Sequence, residues 1–339
     1  MSQSVGVIIG RFQPFHSGHR YLLTQALKTS DIIVIVLGSA HSSRNVRNPL
    51  SASERRTMIE ENLSGDEKGR VKFAEVRDYF YNNAAWTNEV IEKVRELGGR
   101  GTTTLFGFEK DATSSYLRWF PDWKYEHVAS TEETSATPLR ERYLRESGSA
   151  AVETKLSEST KAFLKHFANT PEYALLQEEQ RAVDKYKESW SKAPFPPVFV
   201  TTDAIVVQAG HMILIKRKKS PGKNLWAIPG GFLDPQERLF DCAIRELKEE
   251  TQIDVPESVL RESMKEAKPF DHPLRSSRGR TITHAHFFEL PGDRLARIQA
   301  SDDAADAKWV PLLDLAKMEG QFFEDHFHII QSFLRRGGR

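Results

Sequence analysis

Short apolar runs alternate with helix-forming stretches through the first 147 residues of this 339-residue chain, and no other feature limits its fold as strongly. The apolar runs occupy residues 5–9, 31–37, 71–74, 103–106 and 125–128, with helical patterns between them such as 53–63 and 88–97. Strands that alternate with helices predict a parallel, doubly wound sheet, in which ligands bind at the carboxyl ends of the strands. An α/β fold with its site at that edge is therefore expected.

The loop after the first apolar run reads Gly-Arg-Phe-Gln-Pro-Phe-His-Ser-Gly-His from Gly10 to His19, and an amphipathic segment follows at 21–28. His16 and His19 thus stand where a helix is expected to begin. Imidazole N–H groups can donate hydrogen bonds to phosphate oxygens, and the first N–H groups and the dipole of a helix favour the same anion. The loop indicates a nucleotide-phosphate site, although two such histidines also occur as ordinary hydrogen-bonded residues near a strand end.

The whole string resembles the phosphate-binding signature of the HxGH nucleotidylyltransferase superfamily, and its surroundings are similar to those of archaeal-type nicotinamide mononucleotide (NMN) adenylyltransferases. This resemblance implies that His16 and His19 are catalytic, bind the phosphates of ATP and stabilise the transition state. It also places Gly10, Arg11 and Phe12 in the nucleotide site.

Two more stretches resemble phosphate-binding parts of that family. Ser135-Ala-Thr-Pro-Leu-Arg resembles its second phosphate motif, in which small hydroxyls cap a helix and an arginine reaches the triphosphate. The resemblance implies that Ser135, Thr137 and Arg140 bind ATP, whereas the residues alone also fit an ordinary helix cap with a solvated arginine. Arg47, followed by Asn-Pro-Leu, looks like the family's loop after the second strand and would contact nucleotide phosphate.

The string Asn83-Ala-Ala-Trp86 resembles the part of the family's NMN site where an indole face meets the nicotinamide ring. A cationic ring stacks favourably on tryptophan, although most tryptophans are simply buried in a core. The implied reaction transfers AMP from ATP to NMN and gives NAD and pyrophosphate, with Mg²⁺ as the expected cofactor. Another adenylyl or cytidylyl acceptor, such as a phosphopantetheine or FMN precursor, is the alternative.

A second pattern lies in the other half of the chain. It comprises Gly231, Glu237, the run Arg-Glu-Leu-Lys-Glu-Glu at 245–250, and Ile253. Residues from 238 onward have a helical pattern, so Glu246, Glu249 and Glu250 stand at i, i+3 and i+4 on one face. Three crowded carboxylates repel one another unless cations lie between them, and Mg²⁺ prefers carboxylate oxygens. Without its neighbours, a charged run of this kind would fit a solvated helix face.

This spacing resembles the Nudix box at every fixed position but one, where Gln252 replaces the usual glycine. The resemblance implies a Mg²⁺-dependent hydrolase of nucleoside diphosphates linked to another group, with Glu246 and Arg245 as catalytic residues. The residues implied to hold the metal are Glu246, Glu249, Glu250 and Gly230. Glycine would ease a left-handed turn at the helix exit, which glutamine can adopt at a cost of about 1 kcal/mol. The metal site is expected to survive this change; a rerouted loop with poorer catalysis is the alternative.

The substrate of this second half must be recognised by residues outside the box. Pro269 lies 16 residues after Ile253, and a proline at that offset resembles the marker of Nudix ADP-ribose pyrophosphatases. Arginines before a predicted strand at 281–289 offer guanidinium groups for a diphosphate, or else form a solvated loop. These arginines are Arg275, Arg278 and Arg280. ADP-ribose is the expected substrate, with NADH, diadenosine polyphosphates and oxidised nucleoside triphosphates as alternatives.

A basic run at 216–219 raises a different alternative, because Nudix-like domains also serve as ADP-ribose-sensing, DNA-binding regulators. From residue 196 to the end, 21 Lys and Arg balance 21 Asp and Glu, so this half has no net charge. A DNA-binding domain usually has a clear basic excess, and such a regulator is expected to have lost its metal carboxylates. The expected partners are therefore small nucleotides, namely ATP, NMN, NAD and ADP-ribose, rather than nucleic acid or a membrane.

The proline cluster at 194–197 breaks the helical pattern of residues 153–191 and is the clearest boundary signal in the chain. We predict a Rossmann-like nucleotidylyltransferase domain with C-terminal helices at 1–183, a linker at 184–197, and an α/β/α Nudix sandwich at 198–339. Paired strands are expected at 198–207 and 211–216, and helices at 312–334. Together the two resemblances match a bifunctional enzyme of NAD metabolism, an NMN adenylyltransferase fused to a Nudix ADP-ribose pyrophosphatase.

Composition agrees with a cytoplasmic protein. Hydrophobic residues make up 39% and charged residues 28% of the chain, without an apolar run long enough to cross a membrane. No basic segment precedes the run at 5–9, so a signal peptide is not expected. Cys242 is the single cysteine and cannot form an internal disulfide, as is usual in a reducing compartment. The sequence leaves open whether the chain forms a homo-oligomer.

Overall fold

The computed structural model describes residues 3–99, 101–108, 116–129, 136–146 and 155–334. The chain divides into two compact units, Met1–Gln180 and Arg181–Arg339. None of the helices within the described ranges is long and apolar enough to span a membrane.

The first unit is built on a five-stranded sheet in which every neighbouring pair is parallel. Its strands are β1 (Val5–Gly10), β2 (Ile32–Leu37), β3 (Val71–Glu75), β4 (Thr103–Gly107) and β5 (Lys124–His127). They lie in the order β3-β2-β1-β4-β5, so the order reverses beside β1. In such a sheet the ligand binds at the carboxyl ends of the strands flanking the reversal. The predicted doubly wound sheet is confirmed, and the histidine loop follows β1 at that edge.

The helices of the first unit include those predicted at 21–28 and 88–97, and one that ends at Glu60 within the predicted 53–63. They are α1 (Ser17–Thr29), α2 (Ala52–Glu60), α3 (Gly65–Arg70), α4 (Asn83–Gly98), α5 (Ala136–Arg145), α6 (Glu158–Phe167) and α7 (Pro171–Ser189), whose last turns belong to the second unit. α4 begins before the predicted residue 88 because Asn82 caps it. The Asn82 side chain accepts a hydrogen bond from the Ala85 N–H at 3.0 Å.

The core of the first unit lies between the central strands and α4. Val7, Val34 and Val90 have no exposed surface and belong to one apolar cluster. Full burial of a side chain of this size stabilises the fold by about 1.5–3 kcal/mol. This core fixes β1, and with it the start of the histidine loop.

The second unit contains a seven-stranded mixed sheet. Its strands are β6 (Val198–Gln208), β7 (His211–Arg217), β8 (Trp226–Ala227), β9 (Gly230–Phe232), β10 (Met264–Phe270), β11 (Arg280–Glu289) and β12 (Ala304–Pro311). The main order is β10-β11-β6-β7-β12, with β9 paired to β6 and β8 to β7. β6 and β7 form the predicted hairpin, which Ala209 and Gly210 close with φ of 44° and 74°. Positive φ at both positions is what a two-residue hairpin of matching twist requires.

The helices of the second unit are α8 (Leu239–Thr251), α9 (Glu257–Ser263) and α10 (His326–Leu334). The predicted helical region at 312–334 divides into a 3₁₀ helix, Leu312–Gln321, and α10. α8 packs on the sheet through Ile244 and Leu247, which share an apolar cluster with Ala204 and Phe288. This apolar face fixes the orientation of the helix that carries the box carboxylates.

Tyr186 near the end of α7, and Trp190 directly after it, pack against the sheet of the second unit. The Tyr186 ring centroid lies 5.4 Å from that of Phe199 and 6.0 Å from that of Phe232. The Trp190 ring lies 6.2 Å from Phe199. The segment predicted as a linker, 184–197, therefore begins within a helix, since its helix-forming residues continue the pattern to Ser189.

We propose that the second unit folds by itself, and we expect a fragment of residues 181–339 to be more stable than one of residues 194–339. The shorter fragment lacks Tyr186 and Trp190 and leaves Phe199 and Phe232 exposed. Loss of one such aromatic contact should lower the free energy of unfolding by about 2 kcal/mol. Urea unfolding of both fragments measures the difference. Equal stability would favour a boundary at the proline cluster.

His326 at the start of α10 makes the stability of the second unit depend on pH. Its side chain is buried, and its Nδ1 accepts a hydrogen bond from the Ile228 N–H at 3.0 Å. Burial lowers the pKa of His326 to about 3, against the opposing charge of Asp325. Because the unfolded chain then binds more protons below the ordinary histidine pKa of about 6.5, stability must fall as the pH drops through 6.5.

His326→Asn keeps a hydrogen-bond acceptor and removes this ionisation. Between pH 7 and pH 5 the wild type is expected to lose about 2 kcal/mol of unfolding free energy relative to the variant. Urea unfolding at the two pH values measures it, with His211→Asn at the exposed hairpin turn as the matched control. The same pH dependence in wild type and His326→Asn would contradict the assignment.

Candidate active sites

The β1–α1 loop holds its two histidines through a reciprocal cap. His16 is the N-cap of α1, and its Nδ1 accepts a hydrogen bond from the Gly18 N–H at 3.2 Å. The His16 N–H in turn donates to Nδ1 of His19 at 3.3 Å. A neutral imidazole that accepts at Nδ1 carries its proton on Nε2. Both side chains therefore present an Nε2–H donor, the group that a phosphate oxygen requires.

Aromatic packing holds the two imidazoles together. Their rings stack with centroids 3.7 Å apart, and the Phe12 ring meets His19 edge-on at 4.8 Å. Burial lowers the pKa of His19 well below its ordinary value, and the neighbouring His16 lowers it further. At neutral pH, His19 is thus an uncharged donor. Phe12 has a positive φ of 50°, and a side chain at Gly10 would come within 3.0 Å of its ring, so the predicted Gly10 and Phe12 shape this loop.

Gln13 and Arg140 connect the histidine loop to the loop after β2. The Gln13 amide donates to the Leu50 carbonyl at 2.8 Å and accepts from the Leu50 N–H at 3.0 Å. The Arg140 Nε donates to the Val46 carbonyl at 3.0 Å, and its Nη1 donates to the Gln13 carbonyl at 3.3 Å. Arg140 therefore holds the histidine loop and the loop after β2 together. Its motif did not predict this structural role.

Positive charge nevertheless converges at this edge of the sheet. Burial lowers the pKa of Arg140 to about 10, and the charges of Arg11 and Arg47 lower it further. Three guanidinium groups close enough to repel one another favour a bound anion. The Thr137 hydroxyl accepts from Nη2 of Arg140 at 3.4 Å. The predicted Ser135 lies outside the described residues.

Arg55 in α2 is a residue of this site that the motifs did not single out. It is completely buried, and its Nη1 donates to the carbonyls of Arg11 at 2.9 Å and Gly38 at 2.7 Å. Its Nε donates to the Ser51 carbonyl at 3.2 Å. Burial lowers its pKa to about 10. Arg55 follows Glu54, which caps the start of α2, and this position is the one sequence feature that could have drawn attention to it. The carbonyls of Arg11 and Gly38 come from distant segments, so the sequence pattern could not predict these contacts.

Trp86 lies near the carboxyl end of β1, where its ring packs against other aromatic side chains. Its ring meets those of Tyr116 and Trp119 edge-on, each at 5.8 Å. The Tyr116 hydroxyl donates to the Ile9 carbonyl at the end of β1 at 3.4 Å. The indole is partly exposed, and Asn83 is exposed at the first turn of α4. The structure thus connects Trp86, through Tyr116, to the end of β1 and leaves part of its surface accessible; its role in binding NMN stays a prediction.

In the second unit, α8 ends in the left-handed turn predicted at Gln252. The φ and ψ of Gln252 are 42° and 38°, and its N–H donates to the Lys248 carbonyl at 2.8 Å. The backbone therefore follows the path that a glycine would take at this position.

The two glycines of the box place β9 directly against the carboxylates of α8. The Gly230 N–H donates to the Glu250 carboxylate at 2.9 Å. A Cβ at Gly231 would lie 2.4 Å from the Glu246 carboxylate, and a Cβ at Gly230 would lie 2.2 Å from the Thr202 carbonyl. A side chain at Gly230 would collide with the backbone, and one at Gly231 would displace the Glu246 carboxylate.

Arg245 connects the acidic residues of the box. It binds Glu237 through two hydrogen bonds of 2.9 Å, and its Nη1 donates to Glu246 and Glu249 at 2.8 Å each. These contacts raise the pKa of Arg245, so the guanidinium stays charged. Arg245 thus positions the carboxylates, and its implied catalytic role stays a prediction.

The carboxylates of this site are electrostatically costly to ionise. Burial raises the pKa of Glu250 to about 8; the Gly230 N–H opposes this and the charge of Glu246 adds to it. Burial also raises the pKa of Glu246, against the effect of Arg245. A buried carboxylate beside a partly buried one that repels it suits a hard divalent cation, which would stabilise their ionised forms.

The predicted metal triad is not assembled into a preformed cage. Within the part of the chain that the structure describes, no three His, Cys, Asp or Glu side chains converge in a metal-binding arrangement. The physical reason is Arg245, because it holds Glu246 and Glu249 while Glu250 turns to Gly230. A cation must compete with these contacts.

Asp203 on β6 is a further acidic residue of this site that the sequence did not reveal. It is buried opposite Gly230, and its Oδ2 accepts from the Thr283 hydroxyl at 2.6 Å. Burial raises its pKa to about 6, and its charge in turn raises the pKa of Glu250. It comes from an apolar strand outside the box, so spacing could not identify it.

The structure does not support the predicted ligand role of Arg275. Its guanidinium forms two hydrogen bonds to Asp325, at 3.0 and 2.9 Å, and the two side chains are 3% and 0% exposed. A buried, bidentate ion pair leaves this arginine committed to the fold. Arg280 donates to the Asp271 carbonyl at the surface, and Pro269 lies exposed on β10 opposite His284.

Arg278 differs from the other two arginines because it faces the box. Its guanidinium carbon lies 5.0 Å from the centroid of Phe232, the residue after Gly231. Its nearest carboxylate oxygen, on Glu324, is 3.9 Å away. Of the three predicted arginines, Arg278 is the one placed to reach a ligand at this site.

Comparisons with known proteins match both halves. Residues 7–142 match the cytidylyltransferase-like family, and residues 198–333 match the NUDIX domain. The nicotinamide/nicotinic acid mononucleotide adenylyltransferase of Acinetobacter baylyi is 39% identical over 180 residues, which is 52% of this chain and 94% of that protein. The ADP-ribose pyrophosphatase of Methanocaldococcus jannaschii is 33% identical over 138 residues, 40% of this chain and 73% of that protein.

A solved structure matches the whole chain. The bifunctional NMN adenylyltransferase/ADP-ribose pyrophosphatase of Francisella tularensis, complexed with AMP and a manganese ion, is 35% identical and superposes with a TM-score of 0.90 over 99% of this chain and 100% of its own. The match confirms the predicted pairing of a Rossmann-like transferase with a Nudix unit and disfavours a DNA-binding regulator. The chain belongs to the family of bifunctional NMN adenylyltransferase/ADP-ribose pyrophosphatases.

Proposed function

We propose that the first unit transfers AMP from ATP to NMN, forming NAD and pyrophosphate, and that the second unit hydrolyses ADP-ribose to AMP and ribose 5-phosphate. The observation that carries this proposal is the full-length likeness to a bifunctional enzyme together with both phosphate sites. The paired histidine donors lie at the start of α1, after β1, and the Glu250 carboxylate of the box accepts a hydrogen bond from Gly230 of β9.

In the first reaction an NMN phosphate oxygen attacks the α-phosphorus of ATP. The new P–O bond forms as the bond to pyrophosphate breaks, and no covalent intermediate with the protein is required. The Nε2–H groups of His16 and His19 donate to the departing phosphate oxygens, where charge develops. Fixed donors of this kind stabilise such a transition state without reorganisation.

The remaining predicted residues of the first site have supporting tasks. Arg11 and Arg47 supply positive charge for the triphosphate, and Arg140 holds their loops in place while it adds to that charge. Thr137, in the first turn of α5, is a proposed phosphate contact, and Ser135 is proposed as another from its motif. Trp86 and Asn83 are proposed to bind NMN, the indole through its accessible face.

The second site is proposed to hold a divalent cation through Glu246, Glu249, Glu250 and the backbone of Gly230. Mg²⁺ is the proposed ion for both activities; the manganese in the Francisella protein supports a divalent cation in general. When bound, such an ion neutralises the diphosphate and lowers the pKa of an attacking water. Arg245 orients Glu246 and Glu249, and the Gly230 N–H orients Glu250.

The substrate proposed for the second unit is ADP-ribose. Arg278 is the proposed diphosphate contact, and for Pro269 and Arg280 the proposal rests on the resemblance alone. Values of kcat/KM for ADP-ribose, NADH, a diadenosine polyphosphate and an oxidised nucleoside triphosphate test it side by side. ADP-ribose is expected to lead, and a tenfold preference for any of the others would overturn the assignment.

We also propose that the protein acts on small nucleotides in a reducing cytoplasm and does not bind nucleic acid. The balanced charge of residues 196–339 supports the second point, and burial raises the pKa of the lone Cys242 thiol to about 12, which favours an unreactive, reduced cysteine. Filter binding with DNA across a salt series tests it. Binding that weakens steeply with salt would contradict the proposal.

A further inference from the structure

A row of cationic and aromatic side chains begins beside Glu250. The charge of Arg217, at the end of β7, acts on Glu250. The Arg217 guanidinium carbon lies 4.2 Å from the centroid of Phe323, and that of Arg278 lies 5.9 Å from the same ring. Arg278 also reaches Phe232 at 5.0 Å. This row, Arg217, Phe323, Arg278 and Phe232, therefore runs from the proposed cation site to the end of β9.

Tyr186 of α7 extends this row. Its ring is nearly parallel to that of Phe232, with an interplanar angle of 18° and centroids 6.0 Å apart. The charge of Arg278 also acts on the Tyr186 hydroxyl. Both rings are partly exposed. Tyr186 precedes the NUDIX match at 198–333, so α7 adds surface from outside that domain.

The chemistry of this surface fits one end of a nucleoside diphosphate. Partly exposed aromatic faces bind planar bases by stacking, and neighbouring guanidinium groups bind phosphate oxygens. Arg217 and Arg278 are two like charges placed around one ring; Glu324 offsets them in part, and a bound anion would stabilise them further. Phosphates near Glu250 and the two arginines would direct an attached base toward Phe232 and Tyr186.

We propose that Tyr186, with Phe232 and Arg278, binds the purine base of the nucleoside diphosphate, and that α7 thereby contributes a specificity-determining residue to the Nudix reaction. This inference rests on the proposed hydrolysis and deepens it, because it names the part of the substrate that is recognised.

Tyr186→Leu in the full-length chain tests this proposal, since leucine keeps apolar bulk against Phe199 and Phe232 but removes the flat ring. The KM for ADP-ribose and the inhibition constant of AMP are expected to rise by about tenfold to 10²-fold, with a smaller change in kcat. Inhibition by ribose 5-phosphate, the product without a base, should not change. Tyr186→Phe should stay within about threefold of the wild type because stacking persists. Glu188→Leu, at an exposed position of α7, is the matched control.

A folded Tyr186→Leu variant with an unchanged KM and unchanged AMP inhibition would overturn the proposal, and so would equal weakening of AMP and ribose 5-phosphate. If the leucine variant does not fold, Arg278→Met must raise the AMP inhibition constant, and no change there would overturn it. If the enzyme prefers another substrate, the proposed assignment of ADP-ribose is wrong, whereas the role of Tyr186 in binding the base is still open to test. Tyr186 is then tested on the preferred substrate, where an unchanged KM refutes the base-binding role.

Discussion

His19→Asn is expected to lower NAD synthesis by about 10²- to 10³-fold while ADP-ribose hydrolysis persists at the wild-type rate. Asparagine retains an acceptor for the His16 N–H, whose bond to His19 measures 3.3 Å in the wild type. It removes the Nε2–H donor that is proposed to meet the departing pyrophosphate. The loss should therefore appear in kcat, because the interaction strengthens as charge develops.

His166→Ala, at an exposed position of α6, is the matched control and should retain both activities. The comparison needs initial rates of both reactions on the same preparations. Equal damage to synthesis and hydrolysis by His19→Asn would contradict two independent phosphate sites. Wild-type synthesis in that variant would remove His19 from the catalytic set.

Glu250→Gln is expected to lower hydrolysis by orders of magnitude without loss of stability. Glutamine keeps the size of the side chain and an acceptor for the Gly230 N–H, but removes the negative charge that a divalent cation needs. In the protein alone, burial raises the pKa of Glu250 to about 8, so folding favours its neutral form. A neutral replacement therefore relieves a cost of ionisation above the unfolded pKa of about 4.3.

Two measurements check this expectation: hydrolysis over a Mg²⁺ titration, and urea unfolding with and without the ion. Mg²⁺ should stabilise the wild type and not the variant. Glu262→Gln on the exposed side of α9 is the control. Full hydrolysis by Glu250→Gln at saturating Mg²⁺ would show that this carboxylate is not a ligand.

Local sequence patterns were sufficient to predict much of the fold and both phosphate-binding motifs. The hairpin at Ala209-Gly210, the αL turn at Gln252 and the helix that presents Glu246 and Glu250 each depend on residues close in sequence. Spacing alone could therefore predict them. The Arg245–Glu237 pair belongs to the same class, because both residues lie within the box.

Contacts between distant segments were not predictable in this way. Arg275 was expected to bind a diphosphate, but Asp325, fifty positions later, holds it inside the fold. Asp203 acquires its place through strand pairing with Gly230. Tyr186 lies in a charged helical stretch that reads as a connector, and its partner Phe232 is visible only in three dimensions. Periodicity reports which face is apolar but not which segment covers it.

The most direct test of two active sites in one chain is product identification from a single preparation. The protein is incubated with NMN, ATP and Mg²⁺, and separately with ADP-ribose and Mg²⁺, and the products are separated by chromatography. We expect NAD and pyrophosphate from the first mixture, and AMP and ribose 5-phosphate from the second. Failure to form NAD, or intact ADP-ribose after prolonged incubation with active transferase, would contradict the presence of both activities.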